Sequence, residues 1–177
     1  MPKTEPFDHY ANKYDNWFID NKYVFQSELK AIKKVIPEDK DGIEIGIGSG
    51  IFAEPLGIKE GIEPSKAMRE KAKRKNINVG DAIAEKLPYH DESKDFVLMV
   101  TTICFVDDIN KSFKEVNRIL KNSGSLIIGF VDKESVIGKG YLEHKNESVF
   151  YKDAVFFGTE ELFGILKATG FKIENVY

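Results

Sequence analysis

Glu44-Ile45-Gly46-Ile47-Gly48-Ser49-Gly50 is the stretch whose reading decides the fold. Isoleucines at 43, 45 and 47 give a short β-branched run of strand character, which breaks into glycines at 46, 48 and 50. Without a Cβ, the backbone there can turn with φ > 0 and a ligand can approach the main chain closely. A strand that ends in such a turn, ahead of a helix, binds nucleotide-like ligands at its carboxyl end. Spacing then separates two readings. The dinucleotide fingerprint G-x-G-x-x-G would need a glycine at 51, and that residue is Ile51. The pattern present is E-x-G-x-G-x-G, headed by Glu44. A glycine-rich turn without a ligand is the plainer alternative for this stretch taken alone.

Downstream, a short helix near 50–56 contains Pro55, tolerable only in its first turn or two. A second strand over about 59–63 ends at Glu63-Pro64-Ser65, where an acidic side chain is placed to accept hydrogen bonds from two vicinal ribose hydroxyls. Ser65 caps a helix over 66–75 whose apolar residues are Ala67, Met68 and Ala72. Met68 could flank an adenine ring, although a methionine at helical spacing is more often core filler. Ile77–Val79 gives a third strand, followed by Gly80-Asp81-Ala82. Asp81 could accept from an adenine amino group or serve as an ordinary turn residue.

Phe96–Val100 is a near-continuous apolar run, as expected of a parallel strand covered on both faces. It empties into the apolar loop Thr101–Phe105. Asp107 or Asp108 caps a helix that ends at Asn122-Ser123-Gly124, and Leu126–Val131 is the fifth strand. A long connection leads to Thr159, expected to cap a last helix running to Gly170, and 171–176 reads as a sixth strand. Alternating strands and helices define an α/β class, a doubly wound, mostly parallel sheet.

Upstream, residues 7–19 are dense in aromatics, with Tyr10, Tyr14, Trp17 and Phe18 at roughly helical spacing. They form either a helix packed on the core or a lid over a ligand. The next helix, 21–36, places Phe25, Leu29, Ile32 and Ile36 on one core face before Pro37. Residues 1–177 are therefore expected to form a single domain, with 1–37 its N-terminal helical lid and helix and 41–177 its core.

At 177 residues, with 42% hydrophobic and 31% charged residues and a net charge of −3, the composition is that of a soluble globular domain without a nucleic-acid surface. No apolar run reaches membrane-spanning length and the N-terminus lacks the apolar core of a signal peptide, so a cytoplasmic protein is expected. Cys104, the single cysteine, excludes an internal disulfide and a cysteine-cluster metal site.

Six stretches in order carry a resemblance: YDNWF near the start, EIGIGSG, GIEPS, GDAIAEKLPYHDESKDFVLMVTTICFVDD, EVNRILKNSGSLIIGF and TEELFGILKATGF. Together they resemble small class I S-adenosylmethionine-dependent methyltransferases of the kind found in quinone biosynthesis. The resemblance implies a Rossmann-like fold with S-adenosylmethionine, and its product S-adenosylhomocysteine, held along the carboxyl edge of the sheet. Gly46, Gly48 and Gly50 would line the methionine part, with Glu44 nearby serving its amino group. Glu63 would hold the ribose, Asp81 and Ala82 the adenine, and Thr101 would lie under the sulfonium; Ser49, Pro64 and Met68 are further expected cofactor contacts. Tyr14 and Trp17 would cover the site. Where relatives usually carry Pro-Gly-Gly before the fifth strand, this chain has Asn122-Ser123-Gly124. The usual seventh, antiparallel strand is expected to be absent, in a chain either natively short or trimmed.

A sulfonium-bound methyl is already activated, so the protein chiefly has to bring an acceptor in line and exclude water. No catalytic residue is assigned; His9 and Tyr14, in the expected lid, are the candidates. His90 and His144 sit in polar tracts. No N-P-P-Y follows the fourth strand, which disfavours a nucleic-acid base as acceptor. Asp107, Asp108 and Asp132 are explained by capping and turns, and no metal is expected. The expected partner is a small-molecule methyl acceptor, with the protein a monomer or homodimer. The alternatives are an NAD(P)-dependent oxidoreductase, against which Ile51 speaks, and a non-catalytic binding protein of the same fold.

Overall fold

The computed structural model describes residues 3–177. At its centre lie five parallel strands: β1 (Gly42–Ile45), β2 (Glu60–Ile62), β3 (Asn78–Gly80), β4 (Lys94–Val100) and β5 (Leu120–Gly129), in the spatial order β3-β2-β1-β4-β5. The order reverses between β1 and β4, and a crevice opens at such a switch point beyond the carboxyl ends of the strands. The glycine loop leaves β1 there.

Alternation along β1 and β4 divides the core in two. Ile43, Ile45, Val97 and Met99 pack under α6 (Ile109–Ile119) and α8 (Thr159–Ala168), against Phe113, Val116, Ile119, Leu162 and Leu166. Phe96 and Leu98 point the other way, to a cluster with Ile32 of α3 (Lys22–Lys33), Phe52, Ala72 of α5 (Lys66–Arg74), Ile77 and Val79. Both faces of the sheet are thus covered, the condition under which parallel strands persist. Caps set the helix starts: Ser65 Oγ accepts from Met68 N, and of the two candidate aspartates it is Asp108 that accepts from Lys111 N. Pro55 falls within the single turn of α4 (Ala53–Leu56), where its missing N–H costs nothing.

Four expectations about the helices need correction. The aromatic N-terminal segment is two helices, α1 (Glu5–His9) and α2 (Ala11–Asp20). Helix α6 stops at Ile119 rather than at Asn122-Ser123-Gly124, because β5 begins at once: Leu120 pairs with Lys94, and pairing resumes only at Ser125 opposite Phe96. The intervening residues bulge from the ladder. The connection from β5 contains a helix, α7 (Val136–Glu143), capped by Ser135 Oγ on Gly138 N, and a 3₁₀ turn at Lys145–Glu147. Gly158, not Thr159, is the N-cap of α8; Thr159 is its first residue and its hydroxyl donates to Asp132 Oδ2 at 2.6 Å.

The sixth strand is not formed. Residues 171–177 have no strand pairing, and the seventh antiparallel strand is likewise absent among the described residues. Gly170 takes φ 94° at the end of α8, Phe171 N returns to Leu166 O, and the chain then follows the core surface. Phe171 and Ile173 find their apolar cover against the α6–α8 core, with Phe171 edge-on to Phe113, so burial is achieved without a ladder.

Candidate functional site

The carboxyl edge of the sheet opens into one large cavity of about 650 Å³. Its floor comes from strand ends and the loops that follow them: Ile45, Gly46 and Gly48 after β1, Ile62, Glu63 and Pro64 after β2, Ala82–Glu85 after β3, Val100–Thr102 after β4 and Val131 after β5. Its cover comes from both ends of the chain, with Phe7, Tyr14, Trp17 and Phe18 from the first helices and Tyr141, Phe150 and Tyr151 from the segment after β5.

Gly46 and Gly48 lie in the left-handed region, at φ 67° and 56°. A Cβ on Gly46 would stand 2.5 Å from Thr102, whose hydroxyl donates to Ile45 O and Val100 O, so β1 and β4 are drawn together there. A Cβ on Gly48 would meet nothing closer than Tyr14 Cε1, at 3.9 Å; the bare backbone faces cavity space. Thr101, at the end of β4, also has positive φ (51°), an uncommon state for a β-branched residue, and it is held by Thr101 N on Gly129 O at 2.7 Å.

Glu63 is buried at the end of β2. Its Oε2 accepts from Gly48 N at 2.9 Å and its Oε1 from Ser65 N at 2.8 Å. Each carboxylate oxygen retains a further acceptor site. Burial pushes its pKa up to about 7, against the lowering by the two amides and Arg69. Glu44 lies behind the glycine loop, 2% exposed, and its Oε2 has no hydrogen-bond partner. Its pKa is raised well above the usual carboxylate range by burial first and then by the charge of Glu63. Two acidic groups sharing an apolar wall leave an unfilled demand for donors or positive charge on the β1–β2 side.

Of the residues singled out in the sequence, Tyr14, Trp17, Gly46, Gly48, Glu63, Pro64, Met68, Ala82 and Thr101 line the cavity. The others do not. Ser49 is fully buried and its hydroxyl donates to Asp15 Oδ1 at 2.5 Å, while Lys71 Nζ holds the other oxygen of Asp15, so the glycine loop is tied to α2. Gly50 packs on Ile77 and Ala72. The Asp81 side chain points to solvent and pairs with Arg69 at 2.8 Å. His9 is exposed, as are His90 and His144. Asp108 is a cap and Asp132 accepts from Glu134 N and Thr159 Oγ1; no group of His, Cys, Asp and Glu suited to a metal is found among the described residues. Cys104 is buried, its thiol pushed up to about 12 by burial.

Sequence reasoning missed Glu28, Glu85, Tyr141, Phe150 and Tyr151, all of which line the cavity. Glu85 is placed by accepting from Asp107 N and Asp108 N, at the start of α6. Aromatic density in residues 141–151, within what reads as a loop, was the available signal.

A switch-point cavity with a bare glycine loop and a buried carboxylate at the end of β2 defines a nucleotide-cofactor-binding α/β protein. Comparison with known proteins narrows that class. Residues 43–128 match the model of a methyltransferase domain. A Thermotoga maritima crystal structure, described as a SAM-dependent methyltransferase and possible histamine N-methyltransferase, is 49% identical with a TM-score of 0.93, over 96% of this chain and 82% of that one. The uncharacterized protein MJ1123 of Methanocaldococcus jannaschii is 44% identical over 94% of this chain and 80% of its own length. The uncharacterized protein Rv2003c of Mycobacterium tuberculosis is 31% identical, and this chain spans 62% of its length. The chain belongs to the class I S-adenosylmethionine-dependent methyltransferases. Its cofactor is S-adenosylmethionine. No helix among the described residues is long and apolar enough to cross a membrane.

Proposed function

We propose that the protein transfers the methyl group of S-adenosylmethionine to a small-molecule acceptor inside the cavity, by in-line displacement. The observation that carries the assignment of the two ends is Glu63, whose buried carboxylate is aimed by Gly48 N and Ser65 N with one acceptor site free on each oxygen. That geometry suits the paired hydroxyls of a ribose. On this reading Gly46 and Gly48 give the methionine part room against the backbone, and the unpartnered Glu44 Oε2 behind them is a free acceptor for its amino group. Met68 and Ala82 then flank the adenine, and Thr101 lies under the reacting centre. Asp81, paired with Arg69 outside the cavity, is not given a ligand role, and Ser49 acts through its bond to Asp15.

The bound cofactor supplies an activated methyl. The residues supply placement and dryness. Tyr14, Trp17 and Phe18 roof the β1–β2 side, and the apolar loop ending at Phe105 walls the β4 side, so water is excluded where the acceptor must lie. Tyr14 is a covering ring here: burial and then the Glu44 and Glu63 carboxylates push its hydroxyl far up, so it does not serve as a base. Calorimetric titration with S-adenosylhomocysteine tests the reading. Micromolar binding is expected, with NAD(P) far weaker, and the reverse preference would remove it.

A further inference from the structure

The cavity has a second charged group that the cofactor side does not use. Glu28, on α3, lines it, and among the described residues this carboxylate makes no hydrogen bond or ion pair. Its helix packs on β5, three strands away from β2 and Glu63, and rings from the segment after β5 line the same cavity. Burial raises the Tyr141 and Tyr151 hydroxyls first, and the Glu28 charge is a further, smaller cause at both, as it is at Tyr14. Tyr141 and Tyr151 meet edge to face at 5.0 Å, and Phe105 stacks on Tyr151 at 5.8 Å. Phe150 closes the ring set beside Tyr14 at 5.8 Å. Lys3 and Lys13 line the same cavity but do not pair with Glu28, and acidic side chains outnumber these lysines. Burial alone pushes the Glu28 pKa up, the sign of a carboxylate lacking a positive partner.

We propose that this end recognises a cationic nitrogen, so that the acceptor is an organic amine or quaternary ammonium compound with Glu28 as its counter-charge and Tyr141 and Tyr151 as ring faces. Electron-rich ring faces attract an ammonium group, and a desolvated cavity strengthens both that attraction and the pairing with a carboxylate. An unpaired carboxylate in a cavity lined by aromatic rings favours such a group over an anion or a neutral hydroxyl, because only a cation relieves its burial. Glu28 is therefore a specificity-determining residue. It grips one end of the acceptor, whichever atom receives the methyl. The inference rests on the reading of the β1–β2 side as the cofactor's.

The test uses the full chain saturated with S-adenosylhomocysteine and two matched probe pairs: choline against 3,3-dimethylbutan-1-ol, and 2-phenylethylamine against 2-phenylethanol. Trp17, the single tryptophan, lines the cavity and reports binding by its fluorescence. In at least one pair the cation should bind about tenfold or more tightly than its neutral partner. Glu28→Gln should bring that ratio to within about twofold of one while the affinity for S-adenosylhomocysteine stays within about twofold of the parent's. Tyr141→Leu should lower cation affinity in the same selective way, and it stands in should Glu28→Gln not fold. The proposal is overturned if the neutral probes bind as tightly as the cations, or if neither cation binds at millimolar concentration to protein that does bind S-adenosylhomocysteine. It is also overturned if Glu28→Gln weakens the cofactor product instead, which would give Glu28 to the methionine amino group. Failure of the parent to bind S-adenosylhomocysteine at all would remove the underlying reading rather than this one.

Discussion

The two ends of the cavity are built by different means. The β1–β2 end is made of backbone. Its shape is set by glycines in left-handed conformation and by a buried carboxylate that takes hydrogen bonds from the loop it faces, all anchored in strands with near-zero exposure. The opposite end is made of side chains. Phe7, Phe105, Tyr141, Phe150 and Tyr151 come from three parts of the chain and touch one another chiefly ring to ring. A backbone-built end holds one ligand shape and tolerates little change, whereas a ring-built end can be re-lined by substitution without disturbing the sheet. Such a division suits an enzyme with a fixed cofactor and an acceptor particular to each relative.

Breaking the backbone-built end should have the largest effect. Gly48→Val forces a β-branched residue into φ 56° and projects its side chain into cavity space. The strain should lower stability by about 1–2 kcal/mol. The obstruction should weaken S-adenosylhomocysteine binding by about 100-fold or more, close to 3 kcal/mol, in a protein that still unfolds cooperatively. Calorimetry with a parallel melting curve separates the two effects, and parental affinity in a folded variant would mean that the site is misplaced.

Glu63 comes next. Glu63→Ala should cost about 1–3 kcal/mol of cofactor-product affinity, the range for hydrogen bonds to a charged acceptor. The pH dependence sharpens this. The folded-state pKa of Glu63, about 7, lies above that of an unfolded glutamate, so its contribution to stability is fully present below the unfolded value and is lost as pH rises through about 7. Binding runs the opposite way, since two ribose hydroxyls are best accepted by the ionised form. Affinity for S-adenosylhomocysteine should therefore fall by up to about tenfold per pH unit below 7, with proton release on binding. Glu63→Gln should flatten that profile; an equally steep profile in the variant would assign the proton elsewhere, with Glu44 the next group to test.

The covering helices should respond more weakly. Helix α1 is tied to the start of α5 through Asp8 Oδ1, which accepts from Ser65 Oγ at 2.6 Å and Ala67 N at 3.1 Å, and α2 is tied through Asp15 to Ser49 and Lys71. These ties join the covering helices to the glycine loop and to α5, while Phe18 of α2 packs in the core with Phe52. Asp15→Ala should raise the dissociation constant by about threefold to tenfold, the worth of roughly one partly exposed pair and one hydrogen bond. Hydrogen exchange across residues 7–19 should slow on adding S-adenosylhomocysteine while 96–100 stays unchanged. Equal protection with and without ligand would make the segment plain core.

The same contrast explains what could be read from the sequence. The glycine loop, the Ser65 cap and the five parallel strands follow from local chemistry: β-branched runs, turn residues and a capping hydroxyl each act within a few residues. The ring-built end is assembled by long-range packing, so nothing near Glu28 signals that its neighbours include Tyr141 and Tyr151. Helix α7 was hidden by Gly138 and Gly140, which lower helix propensity in a segment where packing of Tyr141 on Tyr151 and Phe156 decides. Asp81 was placed correctly at a strand end, but Arg69, one turn into a basic helix, reaches it first. The family resemblance supplied the cofactor; the spacing of glycines alone left a ligand-free turn open.

The smallest expected effect concerns residues 171–177. Alternating Phe171 and Ile173 read as strand, because a half-buried strand and an extended segment lying on a helix pair share that pattern. The structure satisfies these side chains against the α6–α8 core, on the face of the sheet away from the glycine loop, and no ladder bond links the segment to β5. Deleting 171–177 should remove the partial burial of two large apolar side chains and lower stability by about 1–3 kcal/mol. Cofactor-product affinity should stay within about twofold, because none of residues 171–177 lines the cavity. A chain ending at Gly170 that melts cooperatively yet binds S-adenosylhomocysteine much more weakly would show that the α6–α8 side supports the backbone-built end, and that the two ends are mechanically coupled across the sheet.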